Sequence, residues 1–284
     1  MSQASTNNQH LHGIRAFRLV TPDLPRLTGF YRDVLGFVAE GDVQPISAEE
    51  LHSLGVQGGG WRQILSIGRQ TVAIDRFEIA GRSYPAGSDT ASLWFQHLAL
   101  VVVDIAEAHG RLRDMAPISI GGPQQLPPSS GGVQAFKFRD PDGHPLELLR
   151  FPRRDVPATW QDRTTLPGQI ALGIDHSAIS VHDAEASTAF YAAFGLKQGK
   201  RTLNEGQAQQ RLDDLRMVEV SVVPMIPQAS EPHLELLAYH LPHGNRGPGL
   251  RANDVAATRI VWHGTTAGLL SDPDGHLQQI EVQS

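Results

Sequence analysis

The chain has 284 residues, 40% of them hydrophobic and only 19% charged, which is the composition of a folded chain with a sizeable core and excludes a disordered one. A net charge of -6 without any Lys/Arg-rich run argues against nucleic acid as the partner, and the absence of cysteine excludes disulfides and thiolate metal sites, leaving His, carboxylates and amides to hold any metal. The opening MSQASTNNQHLHG is polar, without the apolar core of a signal peptide, and no run of about 18 apolar residues could span a bilayer, so a cytoplasmic location is expected.

In chain order, 1–13 is expected to be a flexible tail. Ile14 to Val20 reads as a strand, and Thr21-Pro22-Asp23 starts a helix to about Leu35, closed by Gly36. Leu27, Phe30, Tyr31 and Leu35 fall at helical spacing and are expected to pack on a sheet. A loop-rich stretch follows through Gly58-Gly59-Gly60, then strands Arg62 to Ile67 and Thr71 to Glu78. The order is βαβββ. After GRSYPAGSDTAS it repeats: strand from Phe95, helix Ile105 to about Met115, strands Gly132 to Arg139 and Pro145 to Phe151. PRRDVPATWQDRTTLPG has linker composition. A third unit has a strand at Gly173 to Val181, a helix at Asp183 to Phe194, and strands near Met217 to Pro224 and His233 to Tyr239. A fourth is cut down to strands around Ala257 to Trp262, Thr265 to Ser271 and Leu277 to Val282, its helix missing.

This is an internal repeat. Phe30-Tyr31 and Phe190-Tyr191 share one offset with Asp23 and Asp183, and the turn Asp140-Pro141-Asp142-Gly143-His144 recurs at Asp272 to His276. Those turns read as tight hairpin corners, with Pro fixing φ and Gly supplying positive φ. Seven residues before the helix-starting Asp stand His97 in the second unit and His176 in the third, but Ala16 in the first. On the last strands the matched positions carry Glu147 in Leu146-Glu147-Leu148-Leu149, Ala73 in the first unit, Glu235 in the third and Gln279 in the fourth.

A carboxylate in a Leu-Glu-Leu-Leu strand is costly to bury unless a cation, a metal or several donors compensate it. Strand alternation lets the imidazoles and carboxylates face one side of a curved sheet, as a set suited to Fe, Mn, Co, Ni or Zn. A lone strand histidine is more often structural; recurrence at matched positions favours a metal site. His144 and His276 are expected to bond locally within their turns, and Tyr239 and Arg150 stand at the ends of ligand-bearing strands, within possible reach of a substrate.

Leu27 to Phe37, Phe95 to Asp104, Phe138 to Phe151, Ile174 to Gly195 and Ser271 to Ile280 together resemble the vicinal oxygen chelate superfamily, which includes glyoxalase I, extradiol dioxygenases, methylmalonyl-CoA epimerase and bleomycin or fosfomycin resistance proteins. The resemblance implies an α+β fold of tandem βαβββ modules, four here with the last truncated. Domains are expected at 14–152 and 171–284, with 153–170 as the linker. It further implies one divalent ion, Ni, Co, Zn, Mn or Fe, held by His97, Glu147, His176 and Glu235. Modules two and three would then pair across the linker, while modules one and four form a metal-free partner with Ala16, Ala73, Arg259 and Gln279 at the ligand places. Coordinating nitrogens of His97 and His176 more than about 5 Å apart would exclude a shared ion.

An octahedral ion with four protein ligands keeps two positions for a substrate, and Glu147 or Glu235 is the candidate catalytic base. The implied activity is that of a glyoxalase-like lyase or isomerase on a small oxygenated substrate, such as an α-hydroxycarbonyl compound. The alternatives are an extradiol-type ring-cleaving dioxygenase, against which the fourth ligand counts, and a metal-free binding protein of the antibiotic-resistance kind. A small-molecule substrate is expected as partner, neither nucleic acid nor membrane, with a homodimer left open.

Overall fold

A computed structural model gives the structure of residues 9–247 and 249–282. Residues 1–8 of the expected tail lie outside the described residues, and the first strand begins at Leu11. Twelve strands carry the architecture: β1 (Leu11–Val20), β2 (Gly60–Ile67), β3 (Gln70–Phe77), β4 (Gln96–Val101), β5 (Gln134–Arg139), β6 (Pro145–Arg150), β7 (Gly173–Val181), β8 (Glu219–Ile226), β9 (His233–Leu241), β10 (Arg259–Gly264), β11 (Gly268–Ser271) and β12 (Leu277–Val282). The helices are α1 (Leu24–Gly29), α2 (Ala48–Ser53), α3 (Ile105–Arg111), α4 (Ala184–Ala193) and α5 (Gly206–Asp213). The fold class is the α+β one, mostly strand with a few short helices.

The strands form two mixed sheets, and neither is a contiguous half of the chain. One sheet runs β11-β12-β10-β1-β3-β2, so it joins the first module to the last. The other runs β8-β9-β7-β4-β6-β5, joining the second and third modules through the antiparallel pair β4–β7. Short strands extend the edges, among them Val38–Ala39 and Gln44–Pro45 on β2 and Thr202–Glu205 on β8. Within each module the first and last strands are parallel neighbours, β1–β3, β4–β6, β7–β9 and β10–β12.

The aspartates that start the module helices are N-caps. Asp23, Asp104 and Asp183 accept hydrogen bonds from backbone N–H groups of the first turn, which is why counting from them keeps the modules in register. The first helix is not regular to Leu35: after Gly29 it widens into a π-turn at Phe30–Val34. Gly36 ends it with φ +79, where any Cβ would collide with the backbone of Gln169 in the linker. One apolar cluster draws on both sheets and on α1, α3 and α4, and Phe17, Tyr31, Phe138, Tyr191 and Trp262 are fully buried in it. The polar helices α2 and α5 are absent from the periodicity reading; their sequences, AEELHS and GQAQQRLD, are too short and polar to announce themselves. Among the described residues the last module has no helix between β10 and β12.

Candidate metal centre

β4 and β7 each read His-x-Ala, and their antiparallel pairing sets His97 opposite Ala178 and His176 opposite Ala99. On the outer flanks Glu147 of β6 lies beside Ala99, and Glu235 of β9 beside Ala178. The four side chains are thus related by a local two-fold, and they rise from a floor where the fully buried alanines contribute only methyl groups. A residue with a larger side chain at 99 or 178 would fill the space that the imidazoles use.

The distances are short. His97 Nε2 lies 2.8 Å from Glu147 Oε2, and His176 Nε2 lies 3.4 Å from Glu235 Oε2. One ligating atom each from His97, Glu147 and His176 lie within 4.8 Å of one another, inside the limit of about 5 Å for nitrogens sharing an ion. Glu235 is set slightly apart and reaches the group through His176. His97 is 2% exposed, yet neither ring nitrogen has a partner in hydrogen-bond geometry among the described residues. A buried imidazole with both nitrogens outside hydrogen-bond geometry fits a role as a cation ligand.

The cup contains functional groups that alternation does not reveal. Asp175 precedes His176 directly, yet both point into it because a register shift between β4 and β7 falls between Ile174 and His176. Asp175 Oδ2 lies 2.9 Å from His176 Nδ1, and its Oδ1 accepts from Trp160 Nε1 at 2.8 Å. This fixes the His176 ring from behind. His233, opposite His176 on β9, stands between Asp175 at 4.0 Å and Glu235 at 3.6 Å. Lys137, cross-strand neighbour of Glu147, is 3% exposed and donates to Asp213 Oδ1 at 2.6 Å. Gln209 and Tyr239 donate to the other oxygen of Asp213. Tyr239 therefore serves the Lys137–Asp213 pair, and Arg150 bonds to Val103 and Gln134. Lys137 could have been found as the one charged residue inside the apolar strand Ala135-Phe136-Lys137-Phe138.

Charge is unbalanced in this cup. Apart from the imidazoles, the charged groups in and behind it comprise four carboxylates, Glu147, Glu235, Asp175 and Asp213, against the buried ammonium of Lys137 and the exposed one of Lys200. Burial acts against ionisation of the acids, but His176 and then His233 overcome it at Glu235, whose pKa falls to about 2; at Glu147 the closeness of the His97 ring acts in the same direction. Burial also disfavours an imidazolium, yet Glu235 followed by Asp175 lifts His176 to about 9, while His97 is held below its ordinary range by burial. Burial would depress Lys137 as well, but Asp213 and next Glu147 more than offset it and keep the amine charged. The set of donors, two imidazoles and two carboxylates around an electronegative cavity of about 230 Å³, fits a divalent cation. The cavity wall is apolar on one side, with Leu126, Val133, Leu149 and Phe151.

The matched places in the other sheet hold no such set. There Ala16 lies opposite Val261, Arg18 opposite Arg259, Ala73 beside Arg18 and Gln279 beside Val261. The space is filled by a balanced network: Arg18 bonds to Glu50 and Glu281, Arg62 to Glu50 and Asp75, and Arg259 to Asp75, three guanidiniums against three carboxylates. Gln279 donates to Glu50 at 3.1 Å. In this half three guanidiniums stand where the other half has the single buried ammonium of Lys137.

Among the described residues no helix is long and apolar enough to cross a membrane. No curated protein matches the chain. Residues 13–148 match the family model described as Glyoxalase/Bleomycin resistance protein/Dioxygenase superfamily. Among solved structures the fold is similar to that of glyoxalase I from Zea mays, at 15% identity and a TM-score of 0.60, covering 97% of this chain and 93% of that one. A protein of Bacillus subtilis provisionally assigned as a dioxygenase is similar at 15% identity and a TM-score of 0.59, over 95% of this chain and 85% of that one. Residues 13–148 thus belong by that match to the glyoxalase/bleomycin resistance protein/dioxygenase, or vicinal oxygen chelate, superfamily, and the tandem modules with their paired first and last strands carry the same fold through the rest of the chain.

Proposed function

We propose that the protein is a divalent-metal-dependent lyase or isomerase of the glyoxalase kind, acting on a small oxygenated substrate such as an α-hydroxycarbonyl compound, with His97, Glu147, His176 and Glu235 as the ligands of one ion. The observation that carries this reading is His97, buried with both ring nitrogens unbonded and clustered with Glu147 and His176 in a cup of excess negative charge. When bound, Ni, Co, Zn, Mn or Fe supplies Lewis acidity toward a carbonyl oxygen, which lowers the cost of removing a proton from the adjacent carbon. Of the two candidate bases, Glu235 has the more open side chain, 20% exposed against 8% for Glu147. Its Oε1, facing His233 Nε2, is the atom that holds the abstracted proton. Glu147 stays fixed against His97, and the apolar wall keeps bulk water from the reacting carbon.

Metal content measured for the wild type beside His97→Ala and His176→Ala tests the shared centre. One ion per chain in the wild type, lost in both variants, is expected. Loss in only one variant refutes a common ion, and a wild type that takes up none of these metals points to a metal-free binding protein.

One observation favours a second reading. His97, Glu147 and His176 close on one another without Glu235, and two imidazoles with one carboxylate are the ligands of oxygen-activating iron centres. Under this reading Glu235→Ala retains Fe(II) and opens a catechol ring under oxygen; under the first it loses turnover of the α-hydroxycarbonyl substrate.

A further inference from the structure

A second cavity, of about 200 Å³, lies where β1, the β2–β3 turn, the linker and the loop before β9 meet, and it shares no lining residue with the metal cup. Its charged lining is three arginines, Arg15, Arg69 and Arg163, against a single carboxylate, Glu231. Arg15 reaches outward to Glu281 at 3.3 Å. Arg69, on the tight turn after Gly68, makes no ion pair among the described residues. Arg163 packs its guanidinium 4.5 Å over the Trp160 ring, and its Nη1 is buried with no hydrogen-bond partner among the described residues. Burial and then the nearby Arg69 both lower the Arg163 pKa, and Glu231 offsets them only in part. Thr71, Thr159 and Ser230 add hydroxyl donors to the same lining.

Two guanidiniums held together with a buried donor left over need an acceptor rich in oxygen. The volume is below the roughly 300–1,000 Å³ of sites for drug-sized ligands, so the occupant is small. We propose that this cavity binds a small oxyanion of the phosphate type, held by Arg69 and Arg163 with Arg15 at the rim. The site is not isolated from the cup: Trp160, beneath Arg163, donates to Asp175, and Gln70 of the same lining accepts from the backbone N–H of Ile174 at 3.2 Å.

Calorimetric titration of the purified protein with inorganic phosphate, against chloride at matched ionic strength, tests this. Saturable binding is expected, weakened about tenfold or more in Arg69→Ala and in Arg163→Ala, and unchanged in Arg113→Ala, whose guanidinium bonds to Gly110 outside the cavity. His97→Ala should also keep the wild-type affinity, which separates this site from phosphate captured by an ion in the cup. If Arg163→Ala does not fold, the exposed Arg69→Ala decides alone. Absence of saturable binding beyond chloride, undiminished affinity in Arg69→Ala, or its loss in His97→Ala overturns the proposal.

Discussion

Lys137 shows how a single residue can set the character of a site without being a ligand. It is the lone buried ammonium among four carboxylates, and its bond to Asp213 keeps that carboxylate from facing Glu147 unopposed. Lys137→Met should cost about 3–5 kcal/mol in a urea unfolding titration, because Asp213 is left as a buried charge without its cation; Lys137→Met with Asp213→Asn should recover part of the loss. Trp160→Phe is the complementary change: it keeps the ring in its pocket but removes the bond to Asp175 that fixes His176. Metal affinity measured by competition with a chelator should fall about tenfold or more while thermal stability changes little. The convergence of His97, Glu147, His176 and Glu235 on one cup was legible in the sequence because the imidazoles stand seven residues before capping aspartates and the carboxylates at matched places on the last strands. Asp175 was not, because strict alternation forbids two neighbours on one face and only a bulge allows it. Lys137 has no copy in another module that would mark it, since its counterpart beside Ala73 is Ile64.

At the scale of elements, the repeated turns do more than reverse the chain. Tyr31, in the helical segment of the first module, donates to Asp140 in the turn of the second; Tyr191, on α4 of the third, donates to Asp272 in the turn of the fourth. Each pair crosses from one sheet to the other, and Thr21 with Asp142 and the His182 N–H with Asp274 reinforce the two contacts. The helical spacing correctly assigns Tyr31 to a packed face, but its hydroxyl has a second task that periodicity cannot register. His276 likewise reaches beyond its turn to the carbonyl of Ser180, whereas His144 bonds Asp140 within its own. Tyr31→Phe and Tyr191→Phe should each cost about 1 kcal/mol by denaturant titration. Because the two clasps share no partner, the double variant should show the sum within about 0.5 kcal/mol.

For the whole molecule, the two sheets solve one electrostatic problem in different ways. The sheet of the first and last modules encloses its own cations, and Glu50 on α2 is the carboxylate that closes the network. Burial would raise the Glu50 pKa, but Arg62 and Arg18 more than reverse this and bring it to about 2. A depressed carboxylate pKa gives stability that is complete above the unfolded value near 4.5 and is lost as pH falls toward 2. Denaturant midpoints recorded between pH 7 and pH 3 should therefore fall less steeply in Glu50→Gln than in the wild type, and the variant should be the less stable at pH 7. The crossed arrangement of modules was legible in the complementary losses, His and Glu kept in the middle and replaced at both ends. What replaced them was less so: the three-arginine network depends on α2, whose six polar residues carry no periodic signal.

The pairing of β1 with β10 has a consequence for the order in which the chain can be assembled during synthesis. Leu11 is opposite Gly264, so the first strand emerges from the ribosome long before its antiparallel neighbour exists. The sheet that bears His97, Glu147, His176 and Glu235 is complete once β9 has been made, while the first module must wait with one strand edge open until the last forty residues or so arrive. The candidate metal cup thus has all its strands before the other sheet can close, and a chain ending at residue 241 would hold every strand of the cup beside an unpaired edge.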